Sequence, residues 1–149
     1  MSQVANTPPT GSDFYARLEG KLGIPGIHSD EDLVALVERR LPANAVQALV
    51  ASGLSDAEAY GLIVPRRTLA HRRAKREPLS REESDKAVRV ARITSLAEQT
   101  FGESDRAWRW MRKSKRRFQG RAPIEMLATE AGARLVEEMI YQVDDGVAA

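Results

Sequence analysis

The stretch "SDAEAYGLIVPRRTLAHRRAKREPLSREESD", Ser55 to Asp85, decides the fold, because helix starts, a break and a run of cations follow one another within it. Ser55 precedes Glu58 by three residues, so each side chain can satisfy the other residue's orphan backbone N–H, and a helix begins there. It is short. Pro65 lacks an N–H and pushes Val64 out of helical geometry, while suiting the first turn of a new helix that should run to about Arg76. Ser80 with Glu83 repeats the capping box and opens a longer helix with an apolar stripe of Val90, Ile93, Thr94, Ala97 and Phe101, ending before Gly102.

Two short helices joined by a tight turn, the second strongly basic, are the sequence image of a helix-turn-helix. Ala59 is small where the first helix must approach the second closely, and Leu69 is placed to point back into the core. Ile63 stands where such motifs usually carry a turn glycine, so a modified turn is expected. Arg66, Arg67 and Thr68 occupy the N-terminal turn of the second helix, the part that contacts base edges in the major groove. Arginine can bond guanine O6 and N7 bidentately, and threonine can bond a base or touch a thymine methyl, whereas His71, Arg72, Arg73, Lys75 and Arg76 suit phosphates. The plainer alternative is that these cations only keep an exposed helix soluble.

Upstream, residues 1–13, with Pro8, Pro9 and Gly11 among small polar side chains, cannot offset their ordering entropy and are expected to be disordered. "FYARLEGKLGIPGIH" carries no decisive pattern. Ser29 and Asp30 offer N-caps to a helix with Leu33, Leu36, Val37 and Leu41 at helical spacing, and Pro42 separates it from "ANAVQALVAS", which stops at Gly53. Downstream, Ser104 or Asp105 starts a helix containing Trp108, Trp110 and Met111, two of which cannot share a face. A basic loop, "RKSKRRFQGRA", leads to a short helix with Pro123 in its first turn. Thr129 caps a last helix whose Leu135, Val136, Met139, Ile140 and Val143 recur at three and four, and Gly146 ends it. No strand pattern competes, so the fold class is all-α.

The 149 residues suit one ordinary domain or two small ones, and 42% apolar content with 5% aromatics predicts an aliphatic core. The absence of cysteine removes disulfides and thiolate chemistry, which fits a reducing compartment. No window approaches the roughly 18 apolar residues of a membrane span, and the start lacks the features of a secretory signal, so a cytoplasmic protein is expected. The net charge of +2 hides blocks of opposite sign: residues 65–76 hold six cations and no acid, while residues 129–149 set Glu130, Glu137, Glu138, Asp144 and Asp145 against Arg134. Asp144 and Asp145 lie at the negative end of their helix dipole, which local stability does not select. His28 and His71 lack metal-ligand spacing, and adjacent carboxylates such as Glu82 and Glu83 diverge by about 100° on a helix. No nucleophile motif or phosphate-binding glycine loop occurs, so neither catalytic residues nor a cofactor is expected.

The pieces "LSREESD", "FGESDRAWRWM", "GRAPIEMLATEAGARLVEEMI" and the closing "GV", in that order, resemble the toxin-binding domain of the Xre/MbcA/ParS antitoxin family. "GLIVPRRTLAHR" resembles that family's Xre-like N-terminal region, so the likeness covers about residues 30–149. One departure is the loop "KSKRRFQGRAP", more basic than the family's "LGGRTP" type. The resemblance implies an Xre-like helix-turn-helix domain over residues 14–78 and a small helical toxin-binding domain over 79–149. It implies an antitoxin of a type II toxin–antitoxin system whose partner is a RES-domain toxin that consumes NAD, held inactive by occlusion of its active-site entrance. The same resemblance implies autoregulation by binding promoter DNA, and it places Arg134, Glu137, Glu138, Asp144, Asp145 and Gly146 near the toxin-facing end, with the tail Val147, Ala148 and Ala149 following. Pairing of two DNA half-sites predicts a homodimer. The rival from another class is a plain helix-turn-helix transcriptional regulator whose second half serves only dimerisation.

Overall fold

A computed structural model describes residues 11–146. Its helices are α1 (Gly11–Leu22), α2 (Asp30–Arg39), α3 (Ala45–Ala51), α4 (Asp56–Leu62), α5 (Arg66–Ala74), α6 (Arg81–Phe101), α7 (Ser104–Arg112), α8 (Pro123–Met126) and α9 (Glu130–Asp144), with a 3-10 turn at Arg116–Phe118. Among the described residues there is no strand, and no helix is long and apolar enough to cross a membrane. The disorder expected for residues 1–13 falls largely outside the described residues, but Gly11 to Asp13 form the first turn of α1. Docking explains that helix. Leu18 and Leu22 are buried and α1 packs on α6, so tertiary contact settles a segment whose own pattern was indecisive.

Helix α6 is the centre, packing against α1, α2, α7 and α9. Its 21 residues span about 30 Å, and Ala87, Ala91 and Ala97 are fully buried where neighbours approach closely. Ser80 accepts from the Glu83 N–H while Glu83 accepts from the Ser80 N–H, and Gly102 ends the helix at φ 78°. The other capping box forms as read, between Ser55 and Glu58 at the start of α4. Ser29 and Thr129 cap α2 and α9.

The structure departs from the sequence pattern at three places. Pro65 precedes the helix at φ −58° and ψ 149° rather than entering it, and the helix closes at Ala74, with Arg76 beyond it at a left-handed φ of 56°. Leu41 is fully buried but lies past the end of α2, where its N–H donates to Ser84 Oγ and its carbonyl accepts from the Leu79 N–H. Leu135 falls on the apolar stripe of α9 by spacing, yet it is 39% exposed because it sits at the stripe's edge, beside the fully buried Val136.

Side chains distant in sequence lock α7 onto the segment before α4. Trp108 occupies the space a side chain would need at Gly53, whose φ is 132°. Arg112 stacks 4.6 Å from the Trp108 ring, donates to the Gly53 carbonyl at 2.7 Å and grips both carboxylate oxygens of Glu58. On the other side, Lys21 and Glu98 form a buried ion pair at 3.1 Å, with Arg17 and Ser104 also bonded to Glu98. Burial outweighs Glu98 and pulls the Lys21 ammonium below its ordinary value.

Candidate functional site

The turn between α4 and α5 closes without a glycine. Ile63 takes φ −118°, and the carbonyl of Ala59 accepts from the N–H groups of both Ile63 and Val64. Ile63 and Val64 are buried, so apolar burial replaces the conformational freedom that a glycine would have supplied. Ala59 is fully buried and Leu69 is 6% exposed, which seats α5 against the body of the protein.

That seating presents Arg66 and Arg67 to solvent, with Thr68 half-buried beside them. Neither arginine has an ion-pair or hydrogen-bond partner among the described side chains. His71, Lys75 and Arg76 are also exposed. Arg72 differs: its guanidinium makes two bonds to Glu83 at 3.0 and 3.2 Å and lies 3.5 Å from Glu77. Burial raises the Glu83 pKa, but the bonds from Arg72 and from the Ser80 N–H outweigh it and hold the carboxyl below its ordinary range. Arg72 therefore joins α5 to the start of α6. Arg73 faces Gln47 of α3, whose amide oxygen accepts from both guanidinium nitrogens when turned toward it, at 2.8 and 3.1 Å.

Helix α9 displays a second exposed surface. Arg134, Leu135, Glu138, Tyr141, Gln142, Asp144, Asp145 and Gly146 are all exposed. Glu137 is drawn inward to Arg92 at 3.1 Å, and Glu138 lies 3.7 Å from Arg117 of the basic loop. Gly146 follows the helix at φ 82°, and Val147 to Ala149 lie outside the described residues. Two features of this face were missed by pattern reading: the 39% exposure of Leu135 and the 50% exposure of Tyr141. Helical spacing marks apolar positions, but it does not say which edge of a wide stripe finds a neighbour.

The two surfaces share one electrostatic feature. The first turn of α5 holds Arg66 and Arg67 and no acid, although a helix start favours negative charge. The last turn of α9 holds Asp144 and no base, although a helix end favours positive charge. Each surface thus carries charge that its own helix opposes. Among the described residues no group of three or more His, Cys, Asp or Glu side chains could hold a metal ion.

Comparison with known proteins accounts for both halves. The family described as antitoxin Xre-like helix-turn-helix domain matches residues 32–92, and the antitoxin Xre/MbcA/ParS C-terminal toxin-binding domain matches residues 96–146. The chain is 37% identical over 134 residues to a protein named antitoxin Xre from Pseudomonas putida, covering 90% of this chain and 84% of that one. It is 32% identical over 85 residues to another antitoxin Xre, from Yersinia enterocolitica, covering 56% of this chain and 57% of that one.

Proposed function

We propose, because the chain belongs to the Xre antitoxin family, that it neutralises a RES-domain, NAD-consuming toxin by occluding the toxin's active-site entrance, and that it represses its own operon. The observation that carries this reading is the reversed charge at the exposed start of α5 and the exposed end of α9, each suited to a partner of opposite sign. Arg66, Arg67 and Thr68 would read base edges, with His71, Arg73, Lys75 and Arg76 on phosphates. Arg72, bonded to Glu83, contributes chiefly by fixing α5.

At the other end, Asp144, Asp145 and the following residues would enter the basic mouth of the toxin, with Arg134, Leu135, Glu138 and Tyr141 as the flanking contact face. Residues 14–78 would form the DNA-binding part and 79–149 the toxin-binding part, with two copies pairing across DNA half-sites. NAD chemistry belongs to the toxin; this chain acts by steric exclusion.

The test is a growth assay with the adjacent gene co-expressed and cellular NAD measured alongside. Deleting Asp144 to Ala149 is expected to weaken both growth rescue and NAD protection while the circular-dichroism melt stays in place. Undiminished rescue would remove the tail from the mechanism, and an adjacent product that neither slows growth nor lowers NAD would refute the choice of toxin.

A further inference from the structure

We propose that the last turn of α7, within the segment matched by the toxin-binding family, widens the DNA-binding surface, with Arg109 and Lys113 holding duplex phosphates. The inference rests on the DNA-binding reading of α4 and α5. Its structural basis is the lock described above: Arg112 bonds the Gly53 carbonyl and Glu58, which fixes the end of α7 beside the start of α4. In a helix-turn-helix the first helix crosses the phosphate backbone while the second enters the groove. Cations fixed beside the start of α4 therefore face the backbone.

Arg109 and Lys113 are exposed and four residues apart, which sets them on one side of the helix end. Neither has an ion pair among the described residues. Their basic neighbours are differently engaged. Arg112 is held by Glu58, Lys115 lies 4.7 Å from the centre of the Trp110 ring, and Arg117 turns to Gln142 and Glu138 on α9. The cationic run from 112 to 117, one block in sequence, is thus divided between the α4 side and the α9 side.

Arg109, Arg112 and Lys113 line an open hollow with Trp108, and Glu103 and Asp105 line it from the other end of the helix. Asp105 lies about 6 Å along the axis from Arg109 and about 12 Å from Lys113, at 1.5 Å per residue, so it is a further acid that Arg109 must outweigh. Asp56, in the first turn of α4, is an acid these cations must outweigh. Phosphate contacts of this kind add affinity and fix orientation without reading sequence.

The experiment is a fluorescence-anisotropy titration of the full chain against a labelled duplex from upstream of its own gene and a scrambled duplex, across a salt series. Arg109→Gln with Lys113→Gln should make the slope of log affinity against log salt shallower by about 1.8, for two lost phosphate contacts. Affinity should fall by about tenfold or more on both duplexes, leaving their ratio unchanged. Arg116→Gln with Arg121→Gln removes equal charge from the loop between α7 and α8, away from the Arg112–Glu58 lock, and should leave the slope intact. An unchanged slope for the first pair, with wild type binding, overturns the proposal, as does an equal loss in both pairs. If wild type binds neither duplex, the DNA-binding reading itself fails and takes this inference with it.

Discussion

Helices α5 and α9 are anchored at opposite ends. α5 is tied down from Leu69 onward, where that side chain is buried, Arg72 bonds Glu83 and Arg73 faces Gln47, and its first turn is unencumbered. α9 is tied down from its start, where Thr129 caps it and Gly132 passes against Met126, through the buried Met139 and Ile140, and only its last turn is free. In each case the free end bears the charge that the helix dipole disfavours, at a cost of about 0.3–1 kcal/mol per end. α2 does the reverse, with Asp30, Glu31 and Asp32 in its first turn and Arg39 in its last. A helix that serves only the fold can satisfy its dipole; under the proposed function, the ends of α5 and α9 carry their charge for partners outside the chain.

The largest effect should come from breaking the anchored end of α9. A methyl group at Gly132 would strike the carbonyl of Met126, which is backbone and cannot turn aside. Gly132→Ala should therefore lower stability by about 3 kcal/mol, measured by urea denaturation, and growth rescue should fail with it. A fully stable Gly132→Ala variant would show that α9 can shift relative to α8, and the contrast between anchored and free ends would lose its basis.

The free end of α5 should behave in the opposite way. Arg66→Ala with Arg67→Ala removes two exposed side chains that the fold does not use, so the melting temperature should hold or rise slightly. Affinity for the upstream duplex should drop by about 2 kcal/mol or more in a gel-shift titration at fixed salt. Equal affinity would return these arginines to the role of solubilising charge.

Much of the architecture was legible because it is written in local signals. Capping boxes at Ser55 and Ser80, the break at Pro65 and the stop at Gly102 are each a few residues of backbone chemistry, and they set the helix boundaries. What stayed hidden was pairing across long separations. Nothing near Arg112 announces a bond to Glu58, 54 residues away, and nothing in the run of cations after Pro65 sets Arg72 apart as a structural residue. Those pairings exist only once α6 and α7 are packed, so a linear reading assigned Arg72 and Arg112 to basic blocks. Arg66, Arg67, Asp144 and Asp145 escaped this difficulty because they remain in solvent, where no long-range pairing alters their charge.

The smallest effect concerns the anchor of α5 and separates it from the free end by pH. Burial pushes the Glu83 carboxyl up, but the bonds and charge of Arg72 and the bond from Ser80 together overcome it and hold the folded pKa below its ordinary value. A carboxyl of this kind contributes stability that is complete above its unfolded pKa and is lost as pH falls through the folded one. Glu83→Gln keeps an acceptor for the Ser80 N–H but removes the charge that holds Arg72. It should cost about 1 kcal/mol at neutral pH and flatten part of the acid limb of the stability curve below about pH 5. Arg66→Ala with Arg67→Ala should leave that limb unchanged, because neither arginine faces a carboxylate in the fold. If Glu83→Gln leaves the acid limb as steep as in the wild type, the Arg72 bonds contribute nothing net, and α5 is seated by Leu69 and its apolar neighbours alone.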